Sequence, residues 1–182
     1  YKNEKIKLTA IENNNQYLEL AKENIINNNF QKQIKLLNID VFDINKNLIN
    51  AFDIVVSNPP FYKNYENRSK NELENYAKRI MNIEHWIDSS VKLLKDKGMI
   101  FLIITTEILD IVLYHLRKKT GSFKIFPFWP NSKNSSKRII LVAKKGGASP
   151  TELMTGLKLY NQKNLMTKKA RLISEEGIFN YS

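Results

Sequence analysis

Apolar residues along this chain follow two rhythms, alternation in short runs and a three-to-four spacing in longer ones. "KIKLTAIE" (Lys5 to Glu12) alternates and then turns apolar, the pattern of a strand closing on an acid. Asn14-Asn15 offers a cap for a helix carrying Tyr17, Leu18, Ala21 and Ile25 on one face. "QIKLLNID" (Gln33 to Asp40) reads as a second strand, again ending on an acid. "AFDIVVSN" (Ala51 to Asn58) is a third, more continuously apolar, as a strand covered on both faces should be. Ile80, Ile83, Ile87, Val91 and Leu94 mark one face of a long helix that stops before Gly98. "GMIFLIITT" (Gly98 to Thr106) is the most apolar strand and the candidate for the sheet centre. Leu109, Val112, Leu113 and Leu116 predict a helix ending near Gly121. "FKIFPFW" and "RIILVAK" (Phe123 to Trp129, Arg138 to Lys144) form a closing antiparallel pair.

Strands alternating with helical patterns predict an α/β fold, a mostly parallel sheet covered by helices with an antiparallel strand near the C-terminus. Ligands of such sheets collect beyond the carboxyl ends of the strands. Glu12, Asp40 and Asn58 all fall at those ends. "KKGGASPTE" (Lys144 to Glu152) reads as a flexible loop leading to a short tail. Residues 1–182 are therefore expected to be one domain, with 145–182 its loop and tail. The Asn-rich runs at 13–15 and 27–29 suit turns and caps.

Composition narrows the class. A chain of 182 residues, 42% hydrophobic, suits one core, and 6 Gly with 5 Pro argue against a disordered or fibrous type. There is no apolar run of about 18 residues and no signal-peptide pattern, so no membrane span is expected and a cytoplasmic monomer is the inference. The absence of Cys excludes disulfides and cysteine-ligated metals, and His85 and His115 lack metal-like spacing; no metal is expected. The net charge of +11 permits a polyanionic partner, RNA or DNA, although a lysine-rich surface is an equally ordinary cause.

The stretch "VVSNPPF" (Val55 to Phe61) carries the chemistry. Two prolines end a strand abruptly and push Asn58 towards extended geometry, so the elbow aims one carboxamide in a fixed direction. A conjugated amine is a poor nucleophile, because its lone pair is delocalised. The Asn58 carboxamide oxygen and the Pro59 carbonyl are neighbouring acceptors for its two N–H groups. Phe61 can stack on a base. A bare turn is the competing reading of Asn-Pro-Pro-Phe.

With those residues, the sequence resembles class I S-adenosylmethionine-dependent methyltransferases, over most of the chain. "FDIVVSNPPFYKN" and "RIILVAKKGG" most resemble the adenine-N6 methyltransferases acting on valine tRNA position 37. The resemblance implies a Rossmann-like three-layer α/β/α fold and S-adenosylmethionine as cofactor. It implies a catalytic motif of Asn58, Pro59, Pro60 and Phe61. Glu12 would bind the cofactor ribose and Asp40 its adenine amine, with Asn58 beside the cofactor. The family also places a first strand and a glycine-rich loop ahead of the acidic strand, where the backbone approaches the cofactor. This sequence starts at Tyr1 without them, and the expectation is an N-terminally truncated enzyme.

Lys63, Arg68 and Lys70 follow Phe61 and suit a tRNA or other RNA substrate. "FPFWPNSKNSSKR" (Phe126 to Arg138) also mixes aromatics with Lys133, Lys137 and Arg138, although its aromatics equally suit packing. Three other functions remain open: glutamine-N5 methylation of a release factor, guanine-N2 methylation of ribosomal RNA, and an inactive RNA-binding module.

Overall fold

The computed structural model describes residues 5–59 and 83–177, which fall into two compact units meeting in sequence between Asn47 and Leu48. In the first unit, β1 (Leu8–Glu12) and β2 (Ile34–Asn38) pair in parallel, joined by α1 (Asn15–Asn27). Asn14 caps α1 as its sequence suggests, its Oδ1 accepting from the amides of Gln16 and Tyr17. Leu18 is buried, with Ala21 and Ile25 half-buried along the same face. Tyr17 does not join them: it is 61% exposed, because it sits one position off the stripe.

In the second unit, β3 (Phe52–Ser57), a helix over residues 83–93 (α2), β4 (Leu94–Thr105) and α3 (Leu109–Leu116) follow in order. They are succeeded by β5 (Thr120–Trp129), β6 (Arg138–Lys145), the two-residue strands β7 (Glu152–Leu153) and β8 (Leu157–Lys158), and α4 (Lys168–Glu176). The sheet order is β3-β4-β6-β5-β7, with β8 also beside β5. β3 runs parallel to β4, and β6 runs antiparallel to both β4 and β5, so the sheet is mixed as expected.

Alternation sets the core. Ile100, Leu102 and Ile104 of β4 and Ile139, Leu141 and Ala143 of β6 point to one face, where Ile87, Val91, Val112 and Leu116 of α2 and α3 cover them. Leu102 is fully buried, and full burial of such a side chain contributes about 1.5–3 kcal/mol. On the opposite face, Phe126 and Ile140 pack with Leu157, Ala170 and Ile173, so α4 supplies the third layer at the β5 end.

Three expectations need correction. The face ending at Leu94 continues the helical spacing, but the helix stops at residue 93 and Leu94 opens β4 by pairing with Phe52. Lys97, at φ +66°, lies within the register shift that precedes the regular ladder beginning at Met99. β3 is not covered on both faces: Ile54 is 53% and Val56 73% exposed. The stretch Lys144 to Glu152 is not loop throughout: Lys145 completes β6 and Glu152 opens β7, and β8 and α4 follow because β5 offers the short strands a paired edge.

Candidate active site

The elbow follows directly from β3. Ser57 pairs with Leu102 of the parallel neighbour, so Asn58 emerges at the carboxyl end of both strands. Pro59 is fully buried and Asn58 exposed. An anchored proline restricts the backbone of the residue before it, which limits the directions open to the carboxamide. That carboxamide has no hydrogen-bond partner among the described residues, which leaves its oxygen available to a ligand. Behind it, Trp86 of α2 donates its indole N–H to Ser57 Oγ at 2.7 Å. Sequence reasoning missed Trp86, since a tryptophan between two core isoleucines signals packing. Pro60, Phe61, Lys63, Arg68 and Lys70 lie outside the described residues.

In the first unit, Glu12 and Asp40 come to the same end of the β1–β2 pair. Glu12 is in register with Asn38, and Asn13 donates to Asp40 Oδ2 at 2.8 Å. Asp40 Oδ1 also accepts from the amide of Phe42 at 2.9 Å. Glu12 Oε1 accepts from the amide of Asn14 at 2.8 Å. Its Oε2 is unpartnered among the described residues, and the side chain is half-buried. A partly shielded carboxylate with one free oxygen suits a pair of neighbouring hydroxyls. Asp40 has an engaged turn carboxylate, with spare lone pairs alone for an incoming amine.

The loop between β5 and β6 shares the rim of Asn58. Thr106, just past β4, donates its amide to Lys137 O at 3.2 Å and its hydroxyl to Ser136 O at 3.1 Å. The nearby aromatics have partners within the protein. Phe126 is buried and meets Phe128 edge-on at 5.6 Å, and Trp129 donates to Thr155 O at 3.0 Å. His115 is likewise structural, buried with its Nδ1 3.3 Å from Glu84 Oε1. A cleft of about 810 Å³ between α3 and the 147–151 loop is at the wrong end for chemistry with Asn58. It opens beside Gly121, whose ladder partner Lys144 pairs with Met99 at the start of β4.

Residues 1–121 match the family of the Eco57I restriction-modification methylase. The chain belongs to that family. The match takes in β1, β2, β3, β4 and the Asn58 elbow, so the methylase region contains every acidic and amide candidate above. No curated protein matches the sequence significantly.

Solved structures extend the likeness at the level of fold. A predicted O-methyltransferase of Agrobacterium tumefaciens superposes with a TM-score of 0.75 at 18% identity, covering 93% of this chain and 77% of its own. The tRNA (m1A58) methyltransferase of Aquifex aeolicus gives 0.56 at 12% identity, covering 78% and 54%. A SAM-dependent O-methyltransferase of Thermotoga maritima gives 0.55 at 14% identity, covering 79% and 51%. The chain spans about half the length of the latter two. The fold is the Rossmann-like fold of SAM-dependent methyltransferases.

Proposed function

We propose that the protein is an S-adenosylmethionine-dependent methyltransferase that modifies the N6 amine of adenine in RNA, with tRNA the substrate. The observation that carries this reading is the exposed carboxamide of Asn58, unpartnered among the described residues and held by the buried Pro59 at the carboxyl end of β3. S-adenosylmethionine, when bound, supplies an electrophilic methyl group carried on a sulfonium. Asn58 Oδ1 and the Pro59 carbonyl accept the two N–H groups of the target amine and aim its lone pair. Neither acceptor has to titrate, because alignment is the main requirement. Glu12 Oε2, unpartnered among the described residues, supports a ribose-binding role. Asp40 is the acceptor for the cofactor amine. Phe61 stacks on the base, while Lys63, Arg68 and Lys70 meet phosphates.

One observation favours a second reading. The family is that of a restriction-modification methylase, which favours DNA as the polymer. The Asn58 chemistry is the same for both polymers.

The test is methyl transfer from labelled S-adenosylmethionine to a tRNA transcript, to the same transcript with the target adenine replaced by guanine, to duplex DNA, and to a release-factor peptide. Label as N6-methyladenine in the first substrate alone is the expected result. Label only in DNA selects the second reading. Label only in the peptide, or in none, overturns the nucleic-acid assignment.

A further inference from the structure

The rim that carries Asn58 continues across the second unit as a row of cations. Parallel β5 ends at Trp129 on that rim, and β8 pairs alongside it, Lys158 opposite Trp129. Strands lie about 4.8 Å apart, so the four steps from β3 through β4, β6 and β5 to β8 cover roughly 19 Å. Along this line lie Lys133 and Lys137 of the β5–β6 loop, then Lys158 at the end of β8 and Lys163, Lys168 and Arg171 in the segment beyond it, all exposed.

That segment is firmly built. Tyr160 and Met166 bridge antiparallel, and Asn161 Oδ1 accepts from the amides of Lys163 and Leu165, which fixes the turn. Thr167 caps α4 and donates its hydroxyl to Lys158 O at 2.7 Å, which brings the start of the helix beside Lys158. Lys168 and Arg171 then share the helix face opposite Ala170.

We propose that this row is a track for the sugar–phosphate backbone of the substrate RNA on one side of the target base. The inference rests on the adenine-methylating reading above. Three observations carry it. Glu152 is the only acid between Thr120 and Ser174 in the sequence, and it is paired with Lys124 at 3.3 Å. None of the six cations has an ion-pair partner among the described residues. Finally, α4 opens with Lys168, Lys169 and Arg171 and no acid in its first turn, a placement that opposes the helix dipole until an anion arrives. Leu165, 61% exposed, and Tyr160, 40% exposed, stand among these charges and offer contact to sugar and base faces.

The test compares a 30-nucleotide RNA centred on the target adenine with a five-nucleotide RNA too short to reach β8. The variant is Lys158→Gln, Lys163→Gln, Lys168→Gln, and the control removes equal charge elsewhere through Lys32→Gln, Lys35→Gln, Lys92→Gln. The track variant should bind the long RNA at least tenfold more weakly at low salt. Its slope of log affinity against log salt should shrink by about two units, at roughly 0.7–0.9 per contact. Binding of the short RNA, the melting temperature and kcat at saturation should stay as in the control, with KM for the long RNA raised. If the triple variant melts early, Lys163→Gln in the turn alone should reduce the slope by about one unit. Unchanged affinity for the long RNA, or equal loss for the short one, overturns the track and leaves the methylase reading intact. Long duplex DNA, or phosphatidylserine vesicles, responding in place of RNA would overturn the RNA occupant. A wild-type protein that binds neither RNA nor DNA would remove both readings together.

Discussion

The indole N–H of Trp86 reaches Ser57 Oγ at 2.7 Å, one residue before the Asn58 carboxamide. A helix placed after the elbow in sequence thus holds the strand end that aims it.

That bond should be measurable as a coupling. Trp86→Phe and Ser57→Ala each remove one partner of a half-buried hydrogen bond, at a cost of about 0.5–1.5 kcal/mol. The double variant should cost little more than either single one, because the pair acts as a unit. Urea unfolding of the four proteins provides the cycle. Full additivity would show that the two residues contribute independently.

Asn58→Ala should leave the fold intact, since the side chain is exposed and unpartnered among the described residues. Turnover should fall by roughly 10²–10³-fold, the usual consequence of losing one preorganised group at a reacting centre. Cofactor affinity, measured by calorimetry, should change little. Equal loss of cofactor binding and turnover would place Asn58 on the cofactor instead.

Asp53 and Lys95 form an ion pair at 2.9 Å, and this hydrogen bond and charge hold the Asp53 carboxyl below its usual range. A depressed carboxylate pKa stabilises the fold above the unfolded value, and the contribution is lost as pH falls through the folded value. Asp53→Asn should therefore be slightly less stable than wild type at neutral pH, and the two should converge in strong acid. Added salt should shrink the difference, because the pair is solvent-exposed. Melting curves across pH and ionic strength check both signs.

Two glycines with left-handed backbones should respond differently to alanine. A Cβ on Gly156, at φ +76°, would stand 2.2 Å from Pro127 O, whereas on Gly146, at φ +61°, it would meet only Lys97 Nζ at 3.7 Å. Gly146→Ala should cost about 1–2 kcal/mol from conformation alone. Gly156→Ala should cost more and loosen Leu157 from the sheet, visible as faster amide exchange in β8 and α4.

The alternation of strands and helices was legible in the sequence because period-two and period-3.6 patterns are long here. The end of β3 just before Asn58 was legible because a proline cannot continue a central strand. Leu94 misled, since its spacing from Val91 continues a helical face while its partner, Phe52, lies far away in sequence. β7 and β8 were invisible, as two residues carry no period and depend on β5 for definition. Helix α4 did leave signals, the cap at Thr167 and the left-handed Gly177, but its few core contacts gave a weak apolar stripe. Trp86 and Ser57 meet across 29 residues, a relationship that no local pattern encodes.

The position of β6 also bears on how the second unit assembles. This strand lies between β4 and β5, yet it is made after both. Until Arg138–Lys145 leaves the ribosome, β4 and β5 each present an unpaired edge to the surroundings. Early pairing of β4 with β5 would close the gap that β6 must enter. Such a topology favours late, nearly all-or-none closure with a slow long-range step, and a nascent chain halted before Arg138 is a natural client for chaperones.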